Sequence, residues 1–248
     1  MIICMSCTKS WIKYLEVSLF SLLSNNKVRK VYLFLEKCDF EFKDFFETKF
    51  NVQIIVINYN DYLHNFIYNN LDTVYSVATL VRLIYTKIID EEKIIYLDVD
   101  TITLGDISYL WNLKLDNYYC AGVEDKYVYN FIDYFDLNDI PIKCINAGVM
   151  VMNLKKLKQD NFDDYLIDEI NRFVYKFPDQ DVINKICAGK ILFISNDYNS
   201  SPSTGFSNNA RIMHYSMPKF NWVKDHRYSE LWYDMEKEYK KTLDNYLK

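Results

Sequence analysis

The sequence predicts an α/β fold in which a mostly parallel sheet, with helices on both faces, forms a single domain. Segments with the pattern of buried strands alternate along the chain with segments of helical spacing, an order typical of parallel sheets. The strand-like segments are continuously apolar, as expected for strands covered on both faces. A chain of 248 residues is long enough for one such domain.

The N-terminal part of the chain supplies most of the predicted sheet. Apolar runs predict strands at residues 2–7, 30–35, 52–57 and 93–97. Leucines at helical spacing predict a helix over 15–23, and helical patterns predict further helices over 40–49 and 74–89. This regular alternation indicates that consecutive strands run in the same direction.

The remainder of the chain continues the pattern less regularly. Strands are predicted at 118–123 and 149–153, helices at 155–175 and 180–188, and a solvated closing helix within 223–248. Segments 124–145 and 196–211 have no clear periodicity, and the second contains turn-forming residues. Long irregular segments of this kind often form lids or binding loops, so substrate recognition is expected there.

Composition excludes several classes of protein. The net charge of -5 disfavours nucleic-acid binding, and the balanced charges of residues 223–248 provide no polybasic membrane anchor. The six dispersed cysteines are predicted to be buried thiols, because a single Cys-x-x-Cys pair, Cys4 and Cys7, cannot complete a zinc site. No charged leader or apolar run of membrane length is present. We therefore expect a cytoplasmic protein.

Two carboxylates, Asp98 and Asp100, follow the apolar run 93–97. An extended backbone would place both side chains on one face, and open α/β sheets bind ligands beyond the carboxyl ends of their strands. Adjacent carboxylates repel each other unless a cation lies between them, and their oxygen atoms suit Mg²⁺ or Mn²⁺. The alternative is a surface turn with two solvated aspartates.

Four motifs occur in an order that resembles glycosyltransferase family 8. They are Ile94-Ile95-Tyr96-Leu97-Asp98-Val99-Asp100, Ile145-Asn146-Ala147-Gly148-Val149 with Asn153-Leu154-Lys155, Pro178-Asp179-Gln180-Asp181, and His214-Tyr215 with Trp222. That family includes bacterial lipopolysaccharide galactosyl- and glucosyltransferases and is similar to glycogenin. The resemblance covers residues 2–222, with 223–248 as a helical extension.

The resemblance implies a GT-A, Rossmann-like fold and a specific activity. The expected reaction is the transfer of a hexose, galactose or glucose, from a UDP-sugar to a glycan or glycoconjugate acceptor, with retention of anomeric configuration. The expected cofactor is Mn²⁺, with Mg²⁺ as the alternative. Attack by the acceptor hydroxyl on the front face of the sugar, assisted by the leaving phosphate oxygen, is the favoured mechanism.

The resemblance also assigns roles to individual residues. The metal ligands would be Asp98, Asp100 and His214, and the donor and its sugar would contact Arg82, Asp98, Asp125, Asn146 and Ala147. The catalytic residues would be Asp179, as the carboxylate that binds the sugar, and Gln180, as the amide beside the anomeric carbon. Glu124 could replace Asp125 after a shift of one residue. Coordination by a neutral imidazole would weaken as the pH falls through about 6.5 or somewhat below.

Taken without the resemblance, several of these residues have plainer interpretations. Arg82 would be a surface helix residue, Gly148 a turn, the pair Asp179 and Gln180 a helix cap, and His214 a packed core histidine.

The sequence departs from the family pattern at two places. Thr8 stands at the turn where related enzymes often have an aspartate that contacts the nucleoside, so the nucleotide is less firmly implied. Met217 replaces a glycine of the last motif, and Lys219, the implied phosphate-binding cation, is displaced by one position.

Two other functions remain as alternatives. A phosphatase of the haloacid dehalogenase type also has an Asp-x-Asp after an apolar strand. That motif normally lies near the chain start and has Thr or Val where this chain has Ile102. A non-catalytic sugar-binding module on the same fold is the other alternative.

Overall fold

A computed structural model of the protein describes residues 1–37, 39–66, 76–216 and 227–248. Its centre is a seven-stranded sheet with the order β3-β2-β1-β4-β7-β6-β8. These strands are β1 (Ile2–Cys7), β2 (Lys30–Leu35), β3 (Gln53–Asn58), β4 (Ile94–Leu97), β6 (Cys120–Glu124), β7 (Ile145–Met152) and β8 (Ile191–Ile194). Two short strands, β5 (Thr101–Thr103) and β9 (Ile212–His214), form a separate antiparallel ladder.

The central sheet is mixed but mostly parallel. Strand β1 runs parallel to both β2 and β4, β2 runs parallel to β3, and β6 runs parallel to β8. Strand β7 is antiparallel to its neighbours β4 and β6. The predicted fold class is therefore confirmed, and the carboxyl ends of β1 and β4 meet at one edge of the sheet.

The helices surround this sheet and connect its strands. Within the described residues they are α1 (Ile12–Asn25), α2 (Lys43–Phe50), α3 (Tyr85–Ile88), α4 (Ser108–Asn112), α5 (Ile132–Leu137), α6 (Leu154–Gln159), α7 (Phe162–Arg172), α8 (Pro178–Ile186) and α9 (Ser229–Tyr246). None of the helices in these ranges is both long and apolar enough to span a membrane.

The sheet separates two apolar cores. Alternate residues of β1 divide between them, with Ile3 and Met5 in one core and Ile2 and Cys4 in the other. This alternation follows from the two-residue period of a strand, and it explains why the strands are continuously apolar. The described cysteines are free and buried, as predicted, and burial raises the pKa of the Cys7 thiol to about 12.

Several element boundaries differ from the sequence prediction. The expected helix over 74–89 is a 3₁₀ helix, Val77–Leu83, followed by the short α3, with residues 74 and 75 outside the described part. The expected helix over 155–175 is divided into α6 and α7 because Asn161 adopts a left-handed conformation, with φ of 50°, which asparagine tolerates better than most residues. Helix α5 and strand β8 were not predicted.

Helix α9 covers α1 and α2 with an aromatic face. Trp232, Tyr239 and Leu243 are buried, and the Tyr239 ring stacks on Phe46 with centroids 5.9 Å apart. Exposed polar residues occupy its opposite face, which gives the helix the amphipathic pattern of a packed surface helix. The proposed boundary at residue 222 lies outside the described residues.

Candidate active site

The carboxylates of Asp98 and Asp100 lie together beyond the end of β4. One ligand atom each from Asp98, Asp100 and His214 forms a group in which all three atoms are within 4.8 Å of one another. The His214 Nε2 atom is 3.3 Å from Asp100 Oδ1 and 3.7 Å from Asp98 Oδ2. The structure therefore brings together all three residues that were predicted to be metal ligands.

A turn, rather than an extended strand, brings the two carboxylates to one place. Strand β4 ends at Leu97, and residues 99 and 100 form a turn. The Asp98 amide donates to the Gly148 carbonyl at 2.8 Å, and the Thr101 hydroxyl donates to the Asp98 carbonyl at 2.8 Å. The two carboxylates therefore converge as expected, but they do so through a turn and not through the alternation of side chains along a strand.

His214 reaches the carboxylates through the two-stranded ladder. It is paired with Thr101 across β5 and β9, and its amide donates to the Ser200 carbonyl at 2.9 Å. The apolar strand that contains His214 pairs with β5 and does not join the central sheet. Since β5 begins directly after Asp100, this ladder fixes the histidine beside the carboxylates.

His214 is buried with only 2% of its surface exposed. Burial lowers the pKa of its imidazole, but the facing carboxylates, Asp100 before Asp98, outweigh this effect and raise the pKa above the usual 6.5. The imidazolium is thus stabilised when no cation offsets the carboxylate charge.

Gly148 makes room for this group. It lies within β7, not in the turn that its residue type alone indicated. A Cβ atom at this position would lie 2.2 Å from His214 Cε1 and 2.8 Å from Asp98 Oδ2. Glycine is therefore required here for close approach of the backbone to the acidic group.

Arg82 is buried beside the same group, with 4% of its side chain exposed. Its Nη2 atom is 2.9 Å from Asp98 Oδ1, and its Nη1 atom is 3.1 Å from Asp179 Oδ2. Burial lowers the pKa of Arg82, but the charges of Asp179 and Asp98, with the neighbouring Tyr96, raise it further than burial lowers it. A surface helix residue, the plainer interpretation, is thus excluded.

Asp179 and Gln180 lie in the first turn of helix α8, next to the motif in β7. Asp179 is 6% exposed; burial raises its pKa, and the charge of Arg82 opposes that rise. The Gln180 amide is held at both ends, because Oε1 accepts from the Ala147 amide at 3.1 Å and Nε2 donates to Asp125 Oδ2 at 3.2 Å.

Asp125 and Asn146 complete a polar cluster with Gln180. The Asp125 Oδ2 atom accepts from Asn146 Nδ2 at 3.1 Å, and Oδ1 accepts from the Tyr127 amide at 2.9 Å. Glu124, the alternative to Asp125, instead accepts from the Tyr129 hydroxyl at 2.7 Å in an exposed position. The geometry therefore favours Asp125 as the carboxylate of this cluster.

Two predicted site residues are not joined to the group by the contacts described. Thr8 lies at the end of β1, and its hydroxyl hydrogen-bonds to the Ser10 hydroxyl at 3.0 Å. Glu36, which sequence reasoning missed, places a carboxylate beside this turn and accepts from the Lys9 amide at 3.2 Å. Lys219 falls in residues 217–226, outside the described part of the chain.

Sequence reasoning also missed three buried polar residues. Tyr96 lies under the Arg82 guanidinium, 4.1 Å from its ring centroid, and its hydroxyl donates to Asp98. Asn199 contacts His214 and is completely buried. Burial raises the pKa of Asp181 to about 7; its Oδ2 accepts from Tyr134, while its Oδ1 has no hydrogen-bond partner among the described residues. Their side-chain types alone carry no signal, since each role depends on contacts far apart in sequence.

The fold and the acidic edge of the sheet agree with the family to which the sequence belongs. Residues 2–225 match the family described as Glycosyl transferase family 8. The chain belongs to this family, which confirms the resemblance drawn from the four motifs and leaves the phosphatase alternative without support.

Similar proteins agree with this assignment. A putative glycosyltransferase of Haemophilus influenzae is 34% identical over 204 residues, covering 77% of this chain and 60% of the relative. A lipopolysaccharide 1,2-glucosyltransferase of Escherichia coli is 33% identical over 115 residues, covering 44% of this chain and 33% of the relative. The chain thus spans less than two thirds of each of these relatives.

A solved structure shares the fold over nearly its whole length. The galactosyltransferase LgtC, in complex with donor and acceptor sugar analogues, superposes with a TM-score of 0.82 at 20% identity, covering 96% of both chains. The GT-A fold expected from the sequence is therefore confirmed.

Proposed function

We propose that the protein is a metal-dependent, retaining hexosyltransferase that uses a UDP-sugar donor and a glycan or glycoconjugate acceptor. The observation that carries this proposal is the group Asp98, Asp100 and His214, placed beside a buried Arg82 at the carboxyl edge of the sheet. The glucosyltransferase and galactosyltransferase named above support galactose or glucose as the transferred hexose.

The acidic group suits a divalent cation of the Mn²⁺ or Mg²⁺ type. Two carboxylates and one imidazole form a hard, mostly oxygen donor set, and Gly148 leaves space where any side chain would collide with it. Asp98, Asp100 and His214 would hold the ion. A bound ion supplies charge that neutralises a departing diphosphate.

Arg82 would fix the donor side of the site. Its guanidinium is immobilised by Asp98, Asp179 and the Ala147 carbonyl, which accepts from Nη1 at 2.8 Å. A preorganised charge of this kind stabilises negative charge without further reorganisation. Thr8, with Glu36 nearby, would contact the nucleoside, and Lys219 would bind its phosphates.

The polar cluster would bind and orient the sugar. Asp125 and Asn146 offer acceptor and donor groups for hydroxyls, and Ala147 leaves room for the ring. Glycosyl transfer passes through an oxocarbenium-like transition state, so the nearby Asp179 carboxylate would stabilise positive charge. Gln180 is a weak nucleophile, which favours front-face attack by the acceptor over a stable covalent intermediate.

The reaction type is tested by donor use and product configuration. We expect the protein to release UDP from UDP-galactose or UDP-glucose when Mn²⁺ is supplied, and to form an α-linked product that proton NMR identifies by its anomeric signal. Other nucleotide sugars serve as controls. A β-linked product would exclude retention, and binding of the donor without turnover would instead support a sugar-binding module. We also propose that the protein lies in the cytoplasm, which cell fractionation would test.

The pH dependence of metal binding tests His214. Protonated imidazole cannot coordinate a cation, so Mn²⁺ affinity should rise with pH through the raised pKa of His214, above 6.5 rather than below it. We expect His214→Ala to weaken Mn²⁺ binding at least about tenfold, roughly 1.4 kcal/mol, and to remove this pH dependence. Calorimetry with UDP present measures both.

The exposed His64 provides the matched control, and His64→Ala should bind Mn²⁺ as the wild type does. Unchanged affinity and pH dependence in His214→Ala would mean that carboxylates, phosphates and water hold the metal alone.

A further inference from the structure

A chain of hydrogen bonds leads from a backbone amide in β7 to the buried imidazole of His214. The Gly148 amide donates to Asn146 Oδ1 at 3.1 Å, and Asn199 Nδ2 donates to the same oxygen at 2.9 Å. Asn199 Oδ1 lies 2.8 Å from His214 Nδ1. All of these side chains are buried, so water does not compete for the contacts.

The amide of Gly148 sets the direction of every bond in this chain. A backbone N–H can only donate, so the Asn146 atom that faces it must be the oxygen. The Asn199 group that faces this oxygen must then be its NH₂ group, and the Asn199 oxygen must accept a hydrogen bond from the Nδ1–H of His214. The Asn146 NH₂ group agrees with this direction, because it faces the carboxylate of Asp125 at 3.1 Å.

We propose that Asn199 is a positioning residue that holds the His214 imidazole with its proton on Nδ1, so that Nε2 is presented to a cation between Asp98 and Asp100. The inference rests on the proposed metal-dependent function. Histidines that bind metals commonly donate their second ring N–H to a fixed acceptor, and loss of that acceptor typically weakens metal binding by about 10- to 100-fold.

Asn199 is itself held rigidly. Its carbonyl accepts from the Thr204 hydroxyl, its amide donates to the Asn196 carbonyl at 3.3 Å, and the next residue, Ser200, donates its amide to the Ile212 carbonyl at 2.9 Å. The irregular segment 196–211 therefore has a structural link to the metal group. Substrate recognition by this segment stays a prediction.

The same series of hydrogen bonds connects the metal group with the polar cluster that would bind the sugar. Asn146 contacts Asn199 on one side and Asp125 on the other, and Asp125 contacts Gln180. A change at Asn199 should consequently affect both metal binding and the orientation of the sugar cluster, and the two effects are separable by the choice of substitution.

Two substitutions of Asn199 separate the acceptor from the donor. Asn199→Leu removes both hydrogen bonds while keeping the branched shape of the side chain. It is expected to weaken Mn²⁺ binding, measured by electron paramagnetic resonance of free Mn²⁺ with UDP present, by about 10- to 100-fold. Asn199→Asp keeps an acceptor for Nδ1–H, so its Mn²⁺ affinity should fall by less than the roughly tenfold loss expected when the acceptor is removed. Its carboxylate opposes Asn146 Oδ1, so its KM for the donor should rise.

Asn196→Leu is the matched control, because Asn196 lies in the same loop and donates to the Gly205 carbonyl at 2.9 Å without contacting His214. Circular dichroism checks that each variant is folded. Equal losses of Mn²⁺ affinity in Asn196→Leu and Asn199→Leu, or a folded Asn199→Leu with wild-type affinity, would overturn the inference.

A measurement on the unaltered protein decides the matter even if Asn199→Leu does not fold. Nitrogen-15 NMR of the protein with Mg²⁺ and UDP should show His214 protonated at Nδ1 and unprotonated at Nε2, and the opposite pattern would refute the role of Asn199. Failure of the wild type to bind Mn²⁺ at all would remove the metal site, and the inference with it. If the wild type binds Mn²⁺ and the folded Asn199→Leu binds it equally well, the role of Asn199 is excluded while the metal site remains.

Discussion

Replacing Asp100 by asparagine is expected to lower the rate of glycosyl transfer at least about a hundredfold, roughly 2.7 kcal/mol of barrier, while the protein remains folded. The amide preserves the shape of the side chain but removes the charge that would hold the cation. Asp100 faces His214 Nε2 at 3.3 Å with 18% of its side chain exposed, so water compensates only partly for the lost ligand. Release of UDP and circular dichroism measure the two properties.

Asp116 offers a matched control, because it is an exposed aspartate in the loop before β6. Asp116→Asn should leave the rate within about twofold, because Asp116 is not part of the metal group. It should change the free energy of unfolding by less than about 0.5 kcal/mol, as surface substitutions usually do. If Asp100→Asn kept more than about a tenth of the wild-type rate, no more than about 1.4 kcal/mol would depend on this carboxylate. The assignment of the metal group would then be wrong.

Replacing Arg82 by methionine is expected to lower the free energy of unfolding by about 3–5 kcal/mol, the usual effect of removing one partner from a buried ion pair. The substitution leaves the buried carboxylate of Asp179 and the half-buried carboxylate of Asp98 without their cation. It also removes the guanidinium that lies over the Tyr96 ring. Urea unfolding at neutral pH measures the change.

The loss should depend on pH in a defined direction. Burial already raises the pKa of Asp179, and Arg82 opposes that rise. Without Arg82, the pKa of Asp179 in the folded protein increases further. A carboxyl group whose pKa is raised by folding favours the folded state when protonated, and this contribution is lost as the pH rises through the raised pKa. The deficit of Arg82→Met should therefore shrink as the pH falls toward 5.

Arg29 supplies the comparison, because its side chain is 66% exposed and its ion pair with Glu91 spans 3.2 Å. Arg29→Met should cost less than about 1 kcal/mol, as exposed ion pairs do. An equally small loss in Arg82→Met would contradict the buried network described here, and with it the assigned position of Arg82.

The sequence by itself determined the fold class and the acidic pair. Apolar runs report burial on both faces of a sheet, and Asp98 and Asp100 directly follow such a run, so both conclusions depend on neighbours along the chain. The family resemblance then added His214, Arg82, Asp179 and Gln180. Motifs in the family's order identify residues that meet in the fold, which local patterns of hydrophobicity do not indicate.

Only the tertiary structure decided how these residues work together. The meeting of His214 with Asp98 and Asp100, the exclusion of a Cβ at Gly148, the burial of Arg82 and the contact of Asn199 with His214 all join segments that are far apart in sequence. A side chain's type gives its hydrogen-bonding capacity, but its burial and its partners arise when distant segments pack. The physical role of Asn199 therefore could not be predicted from a segment whose local signal was that of a turn.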